Sequence, residues 1–225
     1  INGRDYAPYT AVAHPVMSGN GLIAGFWGDV YGEGDSPARY LVLSHGTRLG
    51  PYRVWGELPV VARLQLSHDG SRMAYTYLTE AGLSLRMGTR TLGPWEYSGG
   101  DKLVEWKIAP IGDGYICVTS SPAGIYIEFN GKKIGPFAAG QKVNVLPPVF
   151  SSDGKAWFVE LLNTDERTGE MSTMIFYGGP GQWRRIGPYT AGAGCAFETD
   201  NRLHVAILDS GRIRSFRLNP PEEGK

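Results

Sequence analysis

The sequence lacks most of the features that announce a chemistry. It has two cysteines in 225 residues, too few for a disulfide-built framework. No run of about 18 apolar residues occurs, which excludes a membrane-spanning helix. Neither sign of charge is in excess, with 22 basic and 22 acidic side chains and a pI near 7.1. A nucleic-acid binder would normally show its phosphate contacts as a basic surplus. There is no Gly-x-Ser-x-Gly elbow for a nucleophilic serine. His14, His45, His68 and His204 have neither i,i+4 nor His-x-Glu spacing, so no metal site is expected. No cofactor is implied.

Glycine is what the chain has in excess. It makes up 32 of the 225 residues, about twice the usual share, without the G-X-Y period of collagen. Many turns follow, and they repeat. Ala7-Pro8-Tyr9, Gly50-Pro51-Tyr52, Gly93-Pro94-Trp95, Gly135-Pro136-Phe137 and Gly187-Pro188-Tyr189 have prolines 43, 43, 42 and 52 residues apart. Each is preceded by a turn glycine: Gly3, Gly46, Gly88, Gly131 and Gly181. Asn2-Gly3 and Asn130-Gly131 are hairpin signals, because both residues of such a pair accept positive φ. Midway between the tripeptides stand Ser67-His68-Asp69-Gly70 and Ser151-Ser152-Asp153-Gly154, with relatives at Ser18-Gly19-Asn20-Gly21, Gly112-Asp113-Gly114 and Thr199-Asp200-Asn201. Asx-Gly between apolar runs joins antiparallel strands.

Every unit therefore reads as four short strands. In the first these are Val12 to Ser18, Gly21 to Trp27, Arg39 to Ser44 and Thr47 to Tyr52. The fourth unit opens with Asn144 to Ser151 and carries Asn163 to Glu170 as an acidic, polar insertion at a hairpin tip. The fifth offers only three strands, Cys195 to Glu198, Leu203 to Leu208 and Ile213 to Leu218, while Asn2 to Tyr9 carries the marks of a fourth strand with no unit of its own. The economical reading is an all-β, five-bladed β-propeller with no substantial helix, its last blade closed by the N-terminal strand. A single propeller domain is expected over residues 1–219. Its repeats run over 10–52, 53–95, 96–137, 138–189 and 190–219 plus 1–9, with 220–225 as a tail.

A family resemblance rests on these marks. Ser67-x-Asp69-Gly70 followed by Ala74-Tyr75, and Phe150-Ser151-Ser152-Asp153-Gly154 running into Trp157-Phe158-Val159, resemble the bacterial TolB-type, WD-repeat-like propeller blade. The resemblance covers essentially the whole chain. It implies blade architecture and an exported bacterial protein, periplasmic or extracellular. It does not single out one function, since the repeat serves periplasmic scaffolds, peptidase propeller domains and sensor domains. The chain starts at Ile1 without a methionine, which fits a mature chain after signal removal or a domain cut from a longer one. Five blades are also similar to compact lectin propellers and five-bladed glycosidases, by fold analogy.

The repeated residues have two readings each. Tyr9, Tyr52, Trp95, Phe137 and Tyr189 suit sugar-stacking platforms or plugs between neighbouring blades, with proline ending the outer strand where no ladder donor is needed. Packing is the expectation, and Phe137, without a hydroxyl, favours it. The cations before each tripeptide, Arg4, Arg48, Arg90, Lys132 with Lys133, and Arg184 with Arg185, fit a basic equator or protection of an outer edge. His14, Arg63 and Lys107 fall at equivalent points of the innermost strands, beside Pro147 and Gly194, and are candidates for anion or carbohydrate binding at a channel mouth. Trp55, in the loop Arg53 to Pro59, is the candidate exposed anchor. Trp27, Trp106 and Trp157 belong to the core, and Cys117 and Cys195 are expected to be buried free thiols.

A propeller glycosidase needs two carboxylates about 5–9.5 Å apart. The innermost strands as read here hold none except Glu198, at an end, and nothing in the sequence pairs the loop carboxylates Asp101, Glu105 and Asp113 as an acid and a base. The functional expectation is thus a non-catalytic, monomeric scaffold that binds a protein partner through loops at one end of the ring. A carbohydrate or small-anion binding module is the alternative, and a glycoside hydrolase ranks last.

Overall fold

In a computed structural model the described residues are 9–31, 38–53, 63–96, 100–138, 142–179, 181–190, 193–209 and 212–219. They form strands in five antiparallel sheets. The first is the meander β1 (Ala11–Met17), β2 (Ala24–Val30), β3 (Ala38–Leu43) and β4 (Arg48–Arg53). The second is β5 (Leu64–Leu66), β6 (Met73–Thr79), β7 (Gly82–Met87) and β8 (Arg90–Trp95). The third follows with β9 (Lys102–Ile108), β10 (Tyr115–Ser121), β11 (Gly124–Phe129) and β12 (Lys132–Phe137). In the fourth, β13 (Lys142–Val145) and β14 (Val149–Phe150) both pair with β15 (Trp157–Thr164), followed by β16 (Met171–Gly178) and β17 (Trp183–Tyr189). The fifth has three strands, β18 (Ala193–Phe197), β19 (Leu203–Asp209) and β20 (Arg212–Leu218). The N-terminal strand expected over Asn2 to Tyr9 lies, except for Tyr9, outside the described residues.

The chain divides into two compact units, Ile1–Gly100 and Asp101–Lys225. The break falls between the second and third sheets. In the first unit, Trp27 and Leu41 of sheet one meet Leu64 and Tyr75 of sheet two in one apolar cluster. In the second unit, Ile116, Val118 and Ile127 of sheet three pack on Trp157, Val159, Leu161 and Phe176 of sheet four. The opposite face of sheet four, with Phe158, Ile175 and Tyr177, packs on Leu203 and Val205 of sheet five. Alternation along β15 therefore feeds two cores from one strand, as a sheet buried on both faces requires. Trp27, Trp106 and Trp157 are at most 2% exposed, as expected for core.

Two boundaries of the inner strands differ from the sequence reading. The inner strand of sheet four is interrupted at Leu146-Pro147-Pro148, where two consecutive residues lack the N–H that a ladder needs. The sequence marks of the third unit place its first strand over Trp106 to Ile111, whereas β9 begins at Lys102, with a register shift near Val104. Glu105 consequently belongs to an innermost strand and not to a loop.

The proline of the Gly-Pro-aromatic mark does not end the outer strand: β8, β12 and β17 continue through it to the aromatic, where they end, and β4 runs one residue further. In sheet three Ile125 pairs with Phe137 and Ile127 with Ile134, so Gly135-Pro136 together oppose Tyr126. The same two-against-one count occurs at Gly50-Pro51, Gly93-Pro94 and Gly187-Pro188. Each is a β-bulge, and all four Gly-Pro bonds are cis. Gly135 has φ +124, and a Cβ there would lie 2.6 Å from the Ile125 carbonyl oxygen. Glycine is thus needed twice over, for its φ and for the close approach. Proline is tolerated because this is an edge strand.

Candidate functional site: the loop end of the sheets

Each meander has two unlike ends. At the turn end, the first and second strands and the third and fourth strands are joined by short turns. At the loop end, the second strand passes to the third and the fourth strand leaves for the next sheet.

The turn end is built from the Ser-x-Asx-Gly mark. The Ser151 hydroxyl donates to Asp153 Oδ1 at 2.6 Å and accepts the Ala156 N–H at 2.9 Å, while Asp153 Oδ1 accepts the Lys155 N–H at 3.0 Å. Ser67 with Asp69 and Ser18 with Asn20 repeat the arrangement. The Ser67 hydroxyl, seconded by the Ser71 N–H and hydroxyl, holds the Asp69 carboxyl down at about 2. These turns also fasten neighbouring sheets. Asn20 donates its backbone N–H to the His68 carbonyl and its amide to the Asp69 carbonyl, and Ser152 donates its N–H and hydroxyl to Asn201 Oδ1. Gly154, at φ +72, has the Ile111 carbonyl oxygen 2.4 Å from where a Cβ would stand. At Asn130-Gly131 both residues have positive φ, 50° and 86°, as the hairpin signal implied.

The loop end is where lengths vary most. The second and third strands are joined by residues 31–37 in sheet one, 80–81 in sheet two, 122–123 in sheet three and 165–170 in sheet four. The long connection of sheet four is an exposed tip in which Asp165 accepts the N–H groups of Arg167 and Thr168, which keeps its carboxyl below the usual range. In sheet one, Asp29 and Arg39 flank the connection and form a bidentate ion pair at 2.7 and 2.8 Å, half-sheltered from water. Trp55 and most of the loop Arg53 to Pro59 lie outside the described residues.

The five aromatic marks are all half-buried, and where their contacts are described they pack on the sheet that follows. Tyr52 meets Tyr75 and Tyr77 of sheet two, its hydroxyl 2.9 Å from that of Tyr75. Phe137 stacks on Phe176 at 4.3 Å, and Tyr189 joins the cluster with sheet five. Tyr9 packs edge-on against Phe26 and over Gly28 of sheet one. These are plugs between sheets, and no ring of free stacking platforms is formed by the described aromatics. Trp95 is half-buried on β8 like the rest. The preceding cations are exposed and several lie on aromatic faces: Arg48 is 3.5 Å from the Tyr40 centroid and Lys133 is 4.1 Å from that of Tyr126. Arg4 lies outside the described residues.

Of the inner-strand set, His14 is exposed in a bulge of β1 with φ 50°, and half-buried Arg63 immediately precedes β5 of the adjacent sheet. Lys107 is exposed on β9 of the other unit. His14 and Arg63 thus share a unit and Lys107 does not. One buried polar pair escaped the sequence reading. Glu160 of β15 is 7% exposed and accepts a hydrogen bond from the Cys195 thiol at 2.8 Å. Burial, then this bond to Glu160, push the thiol far above its ordinary value. Its signal in the sequence was a lone carboxylate within the apolar run Trp157 to Leu162. Cys195 is only half-buried, whereas Cys117 is buried as expected. Among the described residues no group of three or more His, Cys, Asp or Glu side chains is placed to hold a metal ion. No helix among them is long and apolar enough to cross a membrane.

No protein-family model matches the chain, and no curated protein matches it. Solved structures similar to it include a eukaryotic initiation factor, with TM-score 0.54 and 12% identity over 92% of this chain and 52% of that one. A prolyl endopeptidase structure has TM-score 0.49 and 16% identity over 94% of this chain and 35% of that one. TolB from Acinetobacter baumannii has TM-score 0.38 and 19% identity over 96% of this chain and 55% of that one. The chain therefore spans about half the length of the initiation factor and of TolB, and about a third of the peptidase. The first likeness is one of fold, and the other two are too distant in shape to argue from. Enzymes and non-enzymes stand side by side among them. The repeated four-strand meander is a propeller-type repeat, and its likeness to the TolB-type, WD-repeat-like blade rests on the Ser-x-Asx-Gly turn.

Proposed function

We propose that this chain is a non-catalytic propeller scaffold, exported and monomeric, whose five sheets form one five-bladed ring and whose loop end binds a protein partner. The observation that carries the reading is the asymmetry of the two ends. The turn end repeats one hydrogen-bonded device and spends it on joining neighbouring sheets. The loop end varies from two residues to seven between second and third strands, which is where a rigid scaffold presents recognition. The ring reading is supported by Tyr9, which sits on Phe26 and Gly28 of β2 as Tyr52 sits on Tyr75 and Tyr77 of β6. These positions are equivalent in the two meanders, so Tyr9 stands on sheet one as Tyr52 stands on sheet two.

The test is a comparative capture experiment on the full chain. Residues 165–170 are replaced by the two-residue connection of sheet two, and separately Asp69→Asn alters the turn end. The expected result is a partner retained by the wild type and by Asp69→Asn but lost with the shortened loop. Equal capture by all three contradicts the reading.

The alternative is a carbohydrate or small-anion module using His14, Arg63, Lys107 and Trp55. It is favoured by the exposed imidazole of His14 on a bulged inner strand and the exposed ammonium of Lys107. A glycan array and thermal shifts with phosphate and sulfate decide it: a saturable stabilisation abolished by His14→Ala supports the module, and no response rejects it.

A further inference from the structure

Four aromatic rings meet where sheet one packs on sheet two. Trp27 of β2 and Tyr52 of β4 come from sheet one, and Tyr75 and Tyr77, both of β6, come from sheet two. Each ring has at least two of the others at centroid distances of 5.1 to 5.9 Å. Alternation puts Tyr75 and Tyr77 on one face of β6, and the tyrosine at the end of the first outer strand packs onto that face. One polar contact in the group joins the two sheets: the Tyr52 and Tyr75 hydroxyl oxygens are 2.9 Å apart and share a hydrogen bond. Plugging the space between sheets does not require it, since Phe137 fills the equivalent place on sheet four without a hydroxyl. Three phenols and an indole, among the side chains most readily oxidised by one electron, are thus held in continuous contact.

We infer that this cluster is a site of oxidative modification, at which a one-electron oxidant of the peroxidase class joins Tyr52 to Tyr75 as a dityrosine within one chain. Tyr52 and Tyr77 are half-buried and give the oxidant its access, while Tyr75 is 5% exposed and is oxidised through the rings that touch it. The shared hydrogen bond selects the pair. The carbon that bears each hydroxyl is flanked by the ortho carbons Cε1 and Cε2, so oxygens in contact bring an ortho carbon of one ring beside one of the other. Each phenol gives up one electron and its hydroxyl proton, and two phenoxyl radicals result. One C–C bond then forms between a Cε of Tyr52 and a Cε of Tyr75, and the hydrogen on each of these carbons moves to a phenol oxygen. The two electrons and two protons reduce hydrogen peroxide, through the peroxidase, to two waters. The bond fixes sheet one to sheet two. It depends neither on ring closure nor on a partner at the loop end.

The experiment treats the full chain with a haem peroxidase and hydrogen peroxide, digests it with trypsin and sequences the cross-linked peptides by mass. The expected product joins Leu49–Arg53 to Met73–Arg86 within one chain, two hydrogens lighter than the sum, and fragmentation places the bond at Tyr75. Tyr52→Phe and Tyr75→Phe keep the rings and their packing, and each lowers the yield of this product by about tenfold or more, because the positioned partner is lost. Tyr77→Phe yields the same product. In the denatured chain the preference for this pair disappears, since only the fold holds the two rings together. A bond from Tyr52 to Tyr77, a product that persists in Tyr75→Phe, cross-links only between two chains, or no dityrosine at all overturns the inference.

Discussion

Replacing Gly135 by alanine tests the bulge that repeats through the molecule. Two costs add. At φ +124, beyond the left-handed region that non-glycine residues occasionally visit, an L-residue is strained by about 1–3 kcal/mol. The new methyl also stands 2.6 Å from a backbone carbonyl oxygen where ordinary contact begins at 3.4 Å, and forced overpacking of this kind costs about 1–3 kcal/mol. Some relief by backbone shift leaves a loss of about 2–4 kcal/mol, and a domain of this size loses about 2–4 °C in Tm per kcal/mol. Calorimetry should therefore show Gly135→Ala melting about 5–15 °C below the wild type. The control is Gly46→Ala, where φ is +99 but no atom lies within 4 Å of the added methyl, so that only the strain applies. If Gly135→Ala costs no more than Gly46→Ala, the close approach has no energetic weight and the account of the tripeptide fails.

Other expectations follow from single groups. Ser151→Ala leaves the buried Ala156 N–H without its side-chain acceptor, so chemical denaturation should show a loss of about 1–3 kcal/mol. Asp69 has a folded value near 2 against an unfolded value of about 3.9, so its stabilising contribution is complete above about pH 5 and is lost as pH falls towards 2. Tm measured from pH 6 to pH 2 should fall less steeply for Asp69→Asn than for the wild type. The thiols of Cys117 and Cys195 are both pushed up, chiefly by burial. A disulfide reagent at pH 8 should therefore titrate neither in the folded chain and both after denaturation, and rapid reaction of one native thiol would refute this.

Architecture was legible because turn chemistry is local. Ser-x-Asp-Gly encodes its own hydrogen bonds, so the inner hairpins could be placed from Ser67 and Ser151 alone. The outer bulges were harder to read. Proline at 51, 94, 136 and 188 announces a missing donor but not whether the strand stops or passes through, and that depends on the pairing partner across the sheet. Leu146-Pro147-Pro148 is the converse case, where the missing donors did interrupt a strand. The site was the least legible part. His14, Arg63 and Lys107 share a sequence position, yet their use depends on what faces them, and the Glu160–Cys195 pair joins residues 35 apart through packing alone. Aromatic plugs were legible as a class because a regular mark in a repeat serves the repeat, as Tyr52 and Phe137 show.

The central structural claim is that Gly135-Pro136 is a bulge within a continuous outer strand and not the end of one. Residue-resolved hydrogen exchange of the native chain measures it directly. The account predicts that the ladder amides of β11 and β12 on both sides of Gly135-Pro136 exchange as slowly as those joining β9 to β10. Exchange at the rate of free backbone for Phe137 and its partner Ile125, with Ile127 and Ile134 protected, would contradict it.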